Sequence, residues 1–101
     1  MTAEDRAQFE SNILQFIKTE VEMGMTFASL ALDGETEEKR QRNREHARKA
    51  YDTAQHFLEE HAHQKIVLPP AMLEGLTKLR KLLVQMGENF EQRTETPNAS
   101  Q

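Results

Sequence analysis

Apolar residues recur at steps of three and four along three long segments of this chain, and the middle segment changes character halfway along. The first segment carries Phe9, Ile13, Phe16, Ile17, Met23, Phe27, Leu30 and Ala31, and the last carries Met72, Leu76, Leu79, Leu83, Met86 and Phe90. On a helix such steps gather on one face, which must then be buried against something. In the middle segment the corresponding positions are polar from Lys39 to Asn43 and become Ala47, Ala50, Tyr51, Ala54, Phe57 and Leu58 beyond that. The apolar residues opposite the polar half therefore lack a full partner within the chain. Association is the role this mismatch points to.

The spacing predicts an all-α fold, with helices over about residues 3–32, 36–62 and 70–93 and a disordered tail over 94–101. Thr2 followed by Asp5 approximates a capping box for the first helix. Asp33-Gly34 is the stop, because Gly tolerates the left-handed backbone that ends many helices. Acidic Glu37 and Glu38 suit the positive end of the second helix. Pro70 suits the first turn of the third, where its missing N–H would have no partner anyway. A short connection between two long helices makes an antiparallel hairpin. The third helix is expected to dock on the hairpin's open end and run out near Asn43, giving a three-helix bundle with room for completion by a second copy. In-register folding is expected to bring Glu20 and Glu22 near Arg44 and Arg48.

At 101 residues the chain supports one domain with a modest core. Thirty per cent charged residues and a mean hydropathy of −0.79 resemble a disordered composition, but the helical periodicity argues for a packed fold. The absence of Cys excludes disulfides, thiolate metal sites and a cysteine nucleophile. The N-terminal residues lack the basic start and apolar run of a signal peptide, so a cytoplasmic location is expected. A net charge of −4 gives no general reason to bind nucleic acid or an anionic membrane. The basic run Lys39, Arg40, Arg42, Arg44, Arg48 and Lys49 is spread around its helix among acids and has no interleaved aromatics, so it reads as a solvated face.

The candidate interface comprises Met23, Met25, Phe27, Leu30 and Leu32 at the hairpin tip. Its expected occupant is the same set of residues on a second chain, making a homodimer, or else another protein. The competing arrangement lays the aliphatic stems of Lys39, Arg40 and Arg42 over these residues. His56, Glu60 and His63 fall at steps of four and three and offer imidazole and carboxylate donors of the kind zinc or iron takes. Glu60-His61-Ala62-His63 resembles half of the Glu-x-x-His pattern of ferritin-like di-iron bundles, which use two copies plus further glutamates. No Gly-rich phosphate loop or Ser-His-Asp arrangement is present, and neither enzymatic activity nor a cofactor is expected.

Three further resemblances are carried by the middle segment. His46-Ala47-Arg48-Lys49 is similar to the His-x-x-Lys-Gly core of histidine phosphotransfer domains, which implies His46 as phosphoacceptor and Lys49 as the stabilising cation; Ala50 stands where that family has Gly. Ala47, Ala50, Tyr51 and Ala54 after a Gly turn resemble the second helix of tetratricopeptide repeats, which implies close helix packing and a protein-binding role. The chain as a whole resembles the small helical bundle proteins common in bacteria, a resemblance that implies no activity.

Overall fold

The computed structural model describes residues 2–90, and within them the chain forms three α-helices. Helix α1 spans Ala3–Asp33, α2 spans Glu37–Glu60 and α3 spans Pro70–Gln85, with a 3₁₀ turn at Ala62–Gln64. The architecture is the expected all-α hairpin with a third helix: α1 packs most extensively on α2, and α3 touches α1 more than it touches α2. At ~1.5 Å rise per residue α1 is about 45 Å long.

Side-chain caps set where the first two helices begin. The Asp5 amide donates to Thr2 Oγ1 at 3.1 Å and the Thr2 amide donates to Asp5 Oδ2 at 3.4 Å, completing the capping box. Thr36 caps α2 by accepting from the Lys39 amide at 3.1 Å. The hairpin turn differs from expectation in its cause. Gly34 is extended (φ −62°, ψ 140°), not left-handed. Space is what it supplies, since a Cβ there would lie 2.8 Å from Arg40 Cγ, and Arg40 Nη1 donates to the Gly34 carbonyl at 2.9 Å.

Helix α3 ends at Gln85, well short of the expected end near residue 93. The reason is Gly87, which has φ +100°. Its amide donates to the Val84 carbonyl at 3.0 Å and the Glu88 amide donates to the Leu83 carbonyl at 2.9 Å, the bond pair of a Schellman stop. The chain then turns back and inserts Phe90 into the core. Residues 91–93 of the expected helix, and the expected tail, lie outside the described residues.

The core alternates small and large residues. Helix α2 contributes Ala47, Ala50 and Ala54 with Tyr51, α1 contributes Ile13, Ile17, Val21 and Ala28, and α3 drives in Leu76, Leu79 and Leu83. The three largest fully buried side chains are Ile17, Leu79 and Leu83. Leu79 occupies the space that a side chain on Gly24 would need, beside Ala50. Three helices thus meet at one point because one of them has no side chain there.

The expected pairing of Arg44 and Arg48 with Glu20 and Glu22 is not formed. Instead Glu88 bridges both arginines, at 3.2 Å from Arg44 Nε and 2.8 Å from Arg48 Nη1. Arg48 also meets Asp52 at 3.0 Å, and Arg44 Nη1 donates to the Met86 carbonyl at 3.0 Å. The arginines face the C-terminal turn because α2 presents them toward α3 and not along the α1 seam. Glu88→Gln should cost about 1–3 kcal/mol, since two partly shielded guanidinium groups lose their shared anion. Thermal melts should show the deficit narrowing in 1 M salt, where screening weakens the parent network.

Candidate interaction face

The five expected interface residues do not form one patch. Residues two apart on a helix point about 200° from each other. Met23, Phe27 and Leu30 therefore share one flank of α1, while Met25 and Leu32 lie on the opposite flank. Met25 is half-buried and lines a recess with Pro69, Met72 and Gly75 at the start of α3. Leu32 lines a separate recess with Arg40, Arg44 and Met86. Arg40 lines that recess, tied to the Gly34 carbonyl at 2.9 Å and to Glu37 at 3.0 Å, but Leu32 stays 55% exposed and is not covered.

The first flank is longer than the tip and contains a residue the interface set omitted. Phe16 is 38% exposed, Met23 43% and Leu30 48%. These three stand at seven-residue intervals, and Phe9 continues the same line. With Ile13, Glu20 and Phe27 interleaved, the positions from Phe9 to Leu30 step by four and three throughout, the pattern of a helix–helix seam. Glu20 is the single polar member. The seven-residue spacing was the signal that could have identified Phe16.

This flank runs along the edge of the α1–α2 contact and is faced by aromatic and imidazole rings. Phe16 lies 4.3 Å from Phe57 between centroids, Phe27 lies 4.9 Å from His46, and Phe9 lies 5.8 Å from His61. The aromatic members are steadied by α2 on one side and open to solvent on the other.

The histidines are spread along α2 and the turn after it. His46 is exposed and its ring stacks on Phe27, and no hydrogen bond among the described residues orients either of its nitrogens toward an incoming phosphate. His56 and Glu60 pair at 3.3 Å on the exposed surface. His63 does not join them, because α2 ends at Glu60 and the following 3₁₀ turn redirects the chain. Among the described residues no group of three or more His, Asp or Glu side chains is placed to hold a metal ion. No helix among the described residues is long and apolar enough to cross a membrane.

Comparison with protein-family models, curated proteins and solved structures finds no match for this chain.

Proposed function

We propose that this protein is a non-enzymatic interaction module that self-associates through the flank of α1 bearing Phe16, Met23, Phe27 and Leu30. The observation supporting this is the line of three large, substantially exposed apolar residues at seven-residue spacing, uninterrupted by any cation on α1. A line of that period is what a neighbouring helix packs against, and single scattered apolar residues would not keep it. A second copy of the chain is the natural partner, since most soluble oligomers are homo-oligomers. Met25 and Leu32 are outside this surface. The reading carries a cytoplasmic setting and involves neither nucleic acid nor membrane.

Light scattering across a dilution series tests it. The parent chain should show a mass above that of the monomer, and Leu30→Glu should weaken association at least about tenfold, by placing a charge where an apolar side chain is buried. An unchanged mass profile for Leu30→Glu would sink the reading. Leu30 is exposed within the single chain, so the variant should keep its helix content.

A further inference from the structure

We infer that the surface receiving the α1 flank is the groove between α2 and α3 of a second copy, so that copies join head to tail. This rests on the self-association reading above and specifies the other half of the contact.

The groove has a volume of about 690 Å³ and lies between α2 and α3. Leu58 and Tyr51 form one wall, Leu73, Leu76 and Val84 the other, and the two charged residues lining it are Arg80 and Lys81. Leu73 is 50% exposed and Val84 52%, so α3 leaves an apolar edge unfilled. Leu73, Thr77, Arg80 and Val84 step by four, three and four, and so form a straight ridge along which a helix can lie. Tyr51 and Leu58 belong to the side of α2 turned away from His46 and Phe57. The groove and the α1 flank are therefore separate surfaces of one molecule.

Charge selects the occupant. Around the α1 flank the charged residues within about a quarter turn are Asp5, Glu20 and Asp33, all acidic, and Arg6, whose charge is met by Glu10 at 3.0 Å. Helix α1 as a whole carries six acids against two bases, whereas α3 carries three bases against one acid. An acidic helix with an apolar line matches an apolar groove with a basic rim, and such matching fixes partner and orientation. Packing one α1 flank on another would set Glu20 beside its own copy and leave Leu73 and Val84 in water. Joining flank to groove buries both unpartnered surfaces at one junction. A contact between two different surfaces does not close on itself in a pair. The mass of the parent chain should accordingly rise past the dimer as concentration increases.

Two doubly substituted chains test this by mixing. Met23→Glu with Leu30→Glu blocks the flank, and Leu73→Glu with Lys81→Glu blocks the groove; all four positions are exposed. Each chain alone should be monomeric by light scattering, with helix content checked by circular dichroism. An equimolar mixture should give a 1:1 complex of twice the monomer mass, because one intact flank meets one intact groove. A groove-blocked chain that assembles like the parent overturns the inference while leaving the flank reading standing. So does a mixture that stays monomeric when both components are monomeric alone. A parent chain that is monomeric at every concentration removes both. Because the chain has no cysteine, a second measurement is independent of these substitutions. Leu30→Cys and Val84→Cys chains should oxidise to a mixed dimer when combined, and a cross-link that forms only between two Leu30→Cys chains would overturn the head-to-tail contact.

Discussion

Replacing Leu79 by Ala should destabilise the fold by about 4 kcal/mol, toward the upper part of the range for such core truncations. Leu79 has no exposed surface, and its Cδ atoms fill the volume left by the absent side chain of Gly24. One side of the resulting cavity is formed by the Gly24 backbone and Ala50, which lie on two helices held together along their length. Neither has a side chain long enough to swing in, so that side of the cavity cannot close. Total stability for a domain of this size is only about 5–15 kcal/mol. The loss should lower Tm by roughly 15 °C or more, at ~4–8 °C per kcal/mol. Gly24 makes the prediction specific. In the parent chain Gly24→Ala should destabilise, because the overlap with Leu79 outweighs the ~1 kcal/mol helix preference of Ala over Gly. In the Leu79→Ala background the same change should stabilise, since the added methyl enters the vacated space. Urea unfolding of the four proteins should show this reversal of sign, and additive effects would mean that the two residues do not share one packing site.

The three helices were legible in the sequence because their evidence is local and periodic. Thr2, Thr36 and Pro70 stand where each helix begins, the two threonines acting through bonds within one turn and Pro70 through its fixed backbone and missing N–H. The stop of α3 was missed for a different reason. Gly87 sits inside an apolar pattern that continues to Phe90, and the pattern shows that Phe90 is buried without showing that it arrives there by a turn. The polar half of α2 was read as uncovered because helix lengths alone bring α3 to an end near Asn43. The turn after α3 occupies part of that region, and Glu88 uses Arg44 and Arg48 for which the sequence had offered Glu20 and Glu22. Choosing among several acids requires knowing which side of α2 faces α3, and periodicity does not supply that rotation. The candidate face shows the same limit. Met25 and Leu32 are as apolar as Met23 and Leu30, but a shift of two residues turns them to the opposite flank.

Phe90→Ala should destabilise the protein by about 3 kcal/mol, the lower end of the range for truncating a buried Phe. The ring is 5% exposed and meets Tyr51 edge-on at 5.1 Å. The Arg48 guanidinium lies 4.0 Å from its centroid and that of Arg80 4.8 Å. Removing the ring takes away apolar burial, the aromatic pair and two cation–π contacts, of which the latter contribute about 0.5–2 kcal/mol each. The long side chains of Arg48 and Arg80 already lie against the ring and can settle into the space, so the loss stays below that of a sealed cavity. Phe90→Leu separates the contributions. It keeps most of the buried area but removes the π face, and should lose about 1–2 kcal/mol. The same comparison with Arg48→Met as background should shrink the Phe-to-Leu difference, because one of the cations that recognises the ring is gone. Loss of Phe90 also frees the segment that carries Glu88. Amide exchange near Arg44, Arg48 and Tyr51 should then accelerate in Phe90→Ala more than at Ile13 and Ile17, which lie nearer the open end of the hairpin. Uniform acceleration across α1 and α2 would show that the turn after α3 is part of the global unfolding unit and not a local clasp on α2.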